Sequence, residues 1–204
     1  MPGGAGFRFN LLGPFAVFRG GVRMADQEVG SRKGRTLLKL LLIERDHMVP
    51  SDRIAEVLWD DSPPPRWERD VATLVSRLRS VFGADAIAGG AGGYAFARSD
   101  RFEIDLDTAE RLITEAEERL AVGEPSLARS AADGVAELFV RGSLLEEEPY
   151  ADWVSHPRIV AGAILRRARR CEWQAAIQVS DWGGAAIASE AAIEADPLDE
   201  EACR

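Results

Sequence analysis

The chain contains little cysteine or histidine, the residues that build disulfide frameworks and most zinc sites. Two cysteines and two histidines occur among its 204 residues, and none of the four has another cysteine or histidine close by in sequence. This spacing argues against a disulfide framework and a zinc site, so we assign no role to Cys171, Cys203, His47 or His156. A nucleophile paired with a base and a carboxylate dyad are also absent. We therefore predict a protein that is not an enzyme and holds no metal or cofactor.

Long apolar runs are missing as well. The longest candidate, Leu40–Ile43, is followed at once by Glu44, Arg45 and Asp46, whereas a membrane-spanning helix needs about eighteen consecutive apolar residues. The first residues do not resemble a secretory signal, because no basic segment leads into an apolar one. We expect a soluble, cytoplasmic protein without a membrane partner.

Charge is distributed unevenly along the chain. The net charge is −9, which by itself argues against a nucleic-acid partner because phosphate binding needs clustered lysine and arginine. Residues 1–98, however, carry 14 Lys and Arg against 11 Asp and Glu, a net charge of +3, whereas residues 99–204 carry 11 against 23, a net charge of −12. A DNA-facing module joined to an acidic partner-facing module would show this division, and so would two unrelated globular domains.

The first part of the chain changes from strand-like to helix-like periodicity. Three β-prone runs separated by turn residues, 7–12, 15–19 and 22–29, predict a small antiparallel sheet. A largely enclosed helix is predicted from Ser31 to Ile43, and Ser51 is expected to cap a short helix after it. Three successive prolines within 60–65 then require a loop.

A third helix with two distinct faces follows this loop. Its apolar residues fall at helical spacing on one side: Val71, Leu74, Val75, Leu78 and Phe82. The opposite side is a polar stripe of cations and hydroxyls: Arg69, Thr73, Ser76, Arg77 and Ser80. A helix of this shape can insert into a groove. Beyond Gly83, residues 86–88 and 94–97 flank a glycine-rich segment, which predicts a hairpin with a flexible tip.

Residues after 98 lack strand signals and predict paired helices. A first pair is predicted between Asp107 and Gly142, with Pro125 opening its second helix. A second pair is predicted over 159–195, with a restart at Pro197 of the kind that ends a tetratricopeptide-type unit. The chain stops within that restarted helix, so we expect it to be a fragment of a longer protein.

Several short motifs occur in a fixed order along the chain. Those in the first half are Phe9–Phe15, Lys33–Leu38, Val49–Trp59, Ser76–Gly83 and Gly92–Phe96, and those in the second half are Leu138–Gly142, Ala151–Trp153 and Ala195–Glu200. In this order and spacing the chain resembles a SARP or AfsR-type transcriptional activator. The resemblance covers nearly the whole chain. It implies an α+β, OmpR-type winged helix-turn-helix at 1–98, followed by an all-α, tetratricopeptide-like bacterial transcriptional activator domain at 99–204.

The resemblance also implies that the third helix lies in the major groove of promoter repeats. Arg77 is then the candidate for a bidentate contact to guanine, and Arg79 for a contact to the phosphate backbone. Further DNA-binding candidates are, on the same helix, Arg69, Thr73 and Ser76 and, at the start of the first helix, Arg32, Lys33 and Arg35. The implied partners are double-stranded promoter DNA, RNA polymerase, and a second copy of the chain in a dimer or in tandem on DNA.

The predicted wing departs from the family pattern. Family wings often carry an arginine just after the Gly-Tyr pair, but here Ala95 follows Tyr94, and the tip has no side chain longer than alanine. This puts minor-groove reading by an arginine in doubt and leaves the glycine amides for contact with the DNA backbone. A nucleotide-binding loop is a poor alternative, because no Lys-Ser/Thr pair follows and no helix opens there.

Two other functions remain open at this point. The winged helix would serve as a docking or sensory module of a larger multidomain ATPase or cyclase if it no longer bound DNA, and its low positive charge and bare wing favour that interpretation. Alternatively, the helical domain would bind a small ligand, which requires a polar pocket that the sequence does not reveal.

Overall fold

The structure is a computed structural model that describes residues 6–45, 47–60 and 62–195. It forms two compact units. The first comprises residues 1–9 and 16–104, and the second comprises residues 10–15 and 105–204. The predicted boundary after Arg98 therefore differs from the division after Ile104, and a six-residue segment near the N-terminus belongs to the second unit.

The first unit begins with a four-stranded sheet. Its strands are β1 (Phe7–Asn10), β2 (Ala16–Arg19), β3 (Val22–Arg23) and β7 (Phe102–Ile104), in the order β3-β2-β1-β7. β2 and β3 are antiparallel, whereas β1 and β7 are parallel, with Phe7 opposite Phe102. Strand β7 contradicts the predicted absence of strands after Arg98. The predicted third strand is also too long, because Asp26–Val29 forms the short helix α1.

Three longer helices follow: α2 (Arg32–Ile43), α3 (Ser51–Trp59) and α4 (Trp67–Phe82). α2 begins where predicted, because the Ser31 hydroxyl oxygen accepts a hydrogen bond from the Gly34 amide at 3.2 Å. Its leucines are enclosed on several sides, as the wide apolar pattern predicts. Ser51 differs from its prediction. It is the first residue of α3 rather than its cap, and its hydroxyl donates to the Ala91 carbonyl oxygen at 2.8 Å.

Aromatic rings form the centre of this unit. Phe9 and Phe82 are almost completely buried, with ring centroids 5.4 Å apart. Phe96 lies edge-on to Phe9 at 5.4 Å and 4.9 Å from Phe102, so the last turn of α4, the sheet and the following hairpin share one core. This packing turns the apolar side of α4 inward and its polar side outward.

A second, three-stranded sheet completes the first unit. Its strands are β4 (Val49–Pro50), β5 (Ile87–Gly90) and β6 (Gly93–Phe96), in the order β4-β6-β5. β5 and β6 form the predicted hairpin, with Gly90 paired to Gly93 across a two-residue turn. The hairpin follows α4 directly, which is the arrangement of a winged helix-turn-helix.

The second unit is all-helical. Its helices are α5 (Asp105–Ala121), α6 (Pro125–Phe139), α7 (Asp152–Gln178) and α8 (Trp182–Ala195). Pro125 occupies the first turn of α6 as predicted, where its missing amide donor costs little. α7 begins at Asp152, seven residues before the predicted start, and contains Pro157. The predicted restart at Pro197 lies outside the described residues.

A short N-terminal segment, Asn10–Phe15, packs within this helical unit. The main-chain amides of Leu11 and Leu12 donate to the Asp105 carboxylate at 2.8 and 3.0 Å, and Arg141 donates to the same carboxylate at 2.9 Å. Burial raises the pKa of Asp105, and these three donors oppose that rise. Helix α5 thus begins at Asp105, two residues before the predicted start at Asp107, and the Asp105 carboxylate fixes the segment that contains Leu11 and Leu12.

Within the described part of the chain, every helix is too short or too polar to span a membrane. Burial raises the pKa of Cys171 to about 11, so its sulfur stays a protonated thiol at neutral pH.

Candidate nucleic-acid interface

Helix α4 presents one apolar and one exposed polar face. Val71, Val75, Leu78 and Phe82 are each 1% exposed and anchor the helix in the core. The other face is exposed to solvent and carries Arg69, Thr73, Ser76, Arg77 and Ser80. Sixteen residues give a helix about 24 Å long. Its exposed face is thus long enough to follow a DNA major groove, which is about 12 Å wide.

Of the three arginines predicted for the site on α4, Arg69 and Arg77 have the least occupied side chains. Both are exposed, and among the described residues neither side chain forms a hydrogen bond or an ion pair. Arginine presents five donors in a fixed planar fork, which fits the two acceptors of guanine or a phosphate group. The structure therefore leaves the donors of both residues available to a ligand.

The hydroxyl groups of the stripe are partly engaged by the helix itself. Thr73 Oγ1 donates to the Arg69 carbonyl oxygen at 2.8 Å, and Ser80 Oγ donates to the Ser76 carbonyl oxygen at 3.0 Å. Such hydroxyls can rotate toward a ligand only by giving up these bonds. Thr73 and Ser76 nevertheless lie on the exposed face that the sequence predicts.

Arg66 extends the cationic face and was missed by the sequence analysis. It occupies the N-cap position of α4 and is exposed. A spacing of three residues to Arg69 places both on the same side of the helix. The signal was present in the sequence, but Arg66 directly follows the proline loop and was not included in the helix.

Acidic residues adjoin the cationic face. Glu68 and Asp70 lie in the first turn of α4 and are exposed. Their negative charges interact favourably with the positive end of the helix dipole. They also reduce the local positive potential around Arg69.

Arg79 has a different environment from the one predicted for it. Its Nε donates to the Ile87 carbonyl oxygen at 2.9 Å and its Nη2 to the Gly89 carbonyl oxygen at 3.2 Å. The side chain is half-buried, and its guanidinium carbon lies 6.0 Å from the centroid of the Tyr94 ring. Two donors of Arg79 are therefore occupied by strand β5 of the wing.

The cations at the start of α2 also divide into two kinds. Lys33 Nζ donates to the Leu58 carbonyl oxygen at 2.7 Å and lies 4.2 Å from the centroid of the Trp59 ring, so it links α2 to α3. Arg35 donates to the Gly30 carbonyl oxygen at 2.8 Å and forms an ion pair with Asp26 at 3.1 Å. Arg32 is exposed, and its side chain contacts no partner among the described residues.

The wing consists mostly of main chain at its tip. Cβ atoms added to Gly90 or Gly92 would meet nothing within 4 Å. Gly89 has a φ of 105°, and a Cβ there would overlap the carbonyl oxygen of Gly93, so the close approach of β5 and β6 requires glycine. The tip therefore exposes amides and carbonyls rather than side chains.

Comparison with known proteins gives sequence relatives and a structural neighbour. No family model matches the chain. The regulatory protein AfsR of Streptomyces griseus is 33% identical over 146 residues, which are 71% of this chain and 15% of AfsR. The transcriptional regulatory protein MoaR1 of Mycobacterium tuberculosis is 32% identical over 106 residues, which are 49% of this chain and 33% of MoaR1. The chain thus spans a third or less of the length of these relatives.

One structural neighbour is Mycobacterium tuberculosis EmbR, solved in complex with a low affinity phosphopeptide. The TM-score is 0.65 at 21% sequence identity, and the match covers 97% of this chain and 57% of the EmbR chain. This likeness concerns the fold, and it confirms the predicted class, a winged helix followed by a helical domain.

Proposed function

Because this chain belongs to the SARP-type transcriptional regulators, we propose that it binds promoter DNA through α4 and regulates transcription from that site. The observation that carries the proposal is the exposed cationic face of α4, in which Arg69 and Arg77 keep their donors available while the opposite face is buried. A fixed helix with available arginines can read a groove without first breaking internal contacts.

Within this proposal the exposed residues have separate tasks. Arg77, in the C-terminal half of the exposed face, donates to guanine O6 and N7. Arg69 and Arg66, nearer the N-terminus of α4, bind phosphates and fix the position of the helix, as does Arg32 from α2. Thr73 and Ser76 lie between these cations and contact a neighbouring base or phosphate.

The helical unit is proposed to contact another protein. It exposes several large apolar side chains, including Ile159 at 65%, Trp182 at 67% and Ile187 at 71%. A partner that covered these side chains would remove their apolar area from water. RNA polymerase and a second copy of the chain are the two candidates for the partner of an activator bound at promoter repeats.

Selection of bound fragments from random double-stranded DNA tests the proposal directly. We expect enrichment of a repeated motif. Binding of that motif, followed by fluorescence anisotropy between 50 and 200 mM salt, should weaken as salt rises. The slope of log K against log salt is expected to be about −2 to −4 if two to four arginines each neutralise one phosphate.

The same titration separates DNA binding from the alternative function as a docking module. A docking module would enrich no motif, and its weak attraction to DNA would not distinguish the selected fragment from a scrambled one of equal length. Either result would overturn the proposed function. The scrambled fragment is the matched control, since it has the same number of phosphates and the same composition.

A further inference from the structure

The tip of the wing has no long side chain of its own with which to hold a position beside α4. Residues 89–93 are four glycines and one alanine. Glycine-rich hairpins have a large conformational entropy, so an unsupported wing would have to become ordered each time it met DNA. The base of the hairpin is anchored by Ile87, Tyr94 and Phe96, which are buried in the core, so it is the tip and the outer edge of β5 that depend on side chains from other elements.

One edge of β5 is held by Arg79. The Ala97 amide, directly after β6, donates to the Ala86 carbonyl oxygen, so these two residues form a hydrogen-bonded pair. In an antiparallel pair, the main-chain groups of every second residue point toward the partner strand and those of the residues between point away. In this register the carbonyls of Ile87 and Gly89 face away from β6. These are the two carbonyls that accept hydrogen bonds from Arg79, so its guanidinium fork spans the outer edge of the strand.

The tip of the wing is held by a second side chain. Ser51 is 9% exposed, and its hydroxyl donates to the Ala91 carbonyl oxygen at 2.8 Å. Arg79 from α4 and Ser51 from α3 thus bind three carbonyl oxygens of the hairpin. Both residues belong to the helix-turn-helix, so the wing is attached to the element that would lie on DNA.

We propose that Arg79 is a positioning residue, which holds the wing beside α4 so that the main-chain amides of Ala91 and Gly92, at the turn of the wing, can bind a DNA phosphate. This inference rests on the proposed function. Carbonyl oxygens would repel a phosphate, and the hydrogen bonds from Arg79 and Ser51 occupy three of them. Main-chain amides then remain as the donors of a wing that lacks cationic side chains, and their fixed geometry lowers the entropic cost of binding.

The test compares Arg79→Lys, Arg79→Ala and Ser51→Ala with the unmodified chain. Lysine keeps the charge but not the planar fork that spans two carbonyls. A residue that binds phosphate as a point charge would therefore tolerate lysine, whereas a residue that holds β5 would not. Arg77→Ala serves as the matched control for the structural measurement, because it removes the same side chain from the exposed face of the same helix.

The first measurement is amide hydrogen exchange of the protein without DNA. We expect the β5 and β6 amides to exchange at least about tenfold faster in both Arg79 variants, while the α2 amides stay slow and Arg77→Ala leaves the wing unchanged. Faster exchange of the wing in Arg77→Ala, or unchanged exchange in the Arg79 variants, would overturn the inference. Unfolding of α2 in Arg79→Ala would leave Arg79→Lys and Ser51→Ala to decide it.

The second measurement is binding to the selected motif. Both Arg79 variants are expected to weaken it about fivefold to tenfold, the size of one or two main-chain hydrogen bonds, and to leave the salt slope unchanged. In hydroxyl-radical footprints of the bound DNA, the backbone next to the region covered by α4 should lose its protection. The region covered by α4 itself should stay protected. Wild-type affinity in Arg79→Lys, with a reduced slope in Arg79→Ala, would make Arg79 a direct phosphate ligand and overturn the proposal. Failure of the unmodified chain to bind any motif would overturn the proposed function, while exchange would still decide whether Arg79 holds the wing.

Discussion

The cationic side chains of the winged-helix unit differ in what their donors already bind. Arg77 and Arg69 are exposed without a partner among the described residues, whereas Lys33 and Arg35 bind main-chain carbonyl oxygens. The sequence shows where a cation lies along a helix, but not whether a carbonyl from a distant element is within reach. For this reason the exposed face of α4 could be predicted, while the environments of Lys33, Arg35 and Arg79 could not.

Arg77→Ala is expected to weaken binding to the selected motif by about tenfold or more, because a bidentate arginine–guanine contact contributes ~1–3 kcal/mol of discrimination. Fluorescence anisotropy with the selected and scrambled fragments measures this loss. Arg23→Ala is the control, since Arg23 is also exposed but lies on β3. Equal affinities of the two variants for the selected motif would show that Arg77 does not read a base.

Lys33→Met is expected to lower the free energy of unfolding by about 1 kcal/mol, because it removes the hydrogen bond to Leu58 and the contact with the Trp59 ring. Methionine keeps the apolar part of the side chain, so the change tests the charged group. Urea denaturation measures the effect, and DNA affinity should change little. Unchanged stability together with weaker, less salt-dependent binding would instead support the phosphate contact predicted from the sequence.

At the scale of elements, local signals predicted local structure and failed where distant segments pair. α2, α6 and the β5–β6 hairpin follow from a capping serine, an N-terminal proline and a glycine-rich turn. β7 has only three residues and pairs in parallel with β1, which is distant in sequence. No turn next to β7 in the sequence therefore indicates this pairing. Serine is a residue type that often caps helices, but the hydroxyl of Ser51 donates to the Ala91 carbonyl oxygen of the wing instead.

Ala91→Arg is expected to strengthen DNA binding about threefold to tenfold and to make the salt slope steeper by about 0.9, because it gives the wing the cation it lacks. Ala91 is exposed, and its neighbours Gly90 and Gly92 have open space around them. Anisotropy titrations at several salt concentrations measure both quantities. Ala91→Glu is the matched control and should weaken binding. If both variants bound as the unmodified chain does, the wing tip would not approach DNA.

At the scale of the whole molecule, the two units are not successive stretches of sequence. Residues 10–15 are flanked by strands of the first unit but belong to the second. Their contacts include a β-bridge between Leu12 and Leu144 and the hydrogen bonds that the Leu11 and Leu12 amides donate to Asp105. Charge and periodicity predicted two parts and roughly where the second begins. They could not assign six residues whose hydrogen-bond partners in the helical unit lie at least 93 positions away in the sequence.

Asp105→Asn is expected to lower the free energy of unfolding by about 2 kcal/mol, because an amide group accepts fewer hydrogen bonds than a carboxylate and brings its own donors toward Leu11, Leu12 and Arg141. Urea denaturation of the full chain measures the loss. Asp100→Asn makes the same change of charge at an exposed residue and should have little effect. Equal stability of the two variants would show that Asp105 does not fix the N-terminal segment.

A fragment that begins at residue 99 is expected to fold poorly, since it lacks the segment whose amides bind Asp105. Circular dichroism should show a broad, low-temperature melt for this fragment. A fusion that places residues 10–15 before residue 99 through a flexible linker should recover part of the cooperativity. A sharp melt of the unextended fragment, similar to that of the full chain, would contradict this expectation.

Recombination between relatives is constrained by that same six-residue segment. A chimera that takes its DNA-reading half from one regulator and its helical half from another would inherit the hexapeptide of the wrong parent if the genes were joined once, near residue 100. Two short exchanges would then be needed instead of one. Regulators whose two units are interleaved in sequence in this way should therefore change target specificity through substitutions on α4 more readily than by exchange of whole halves.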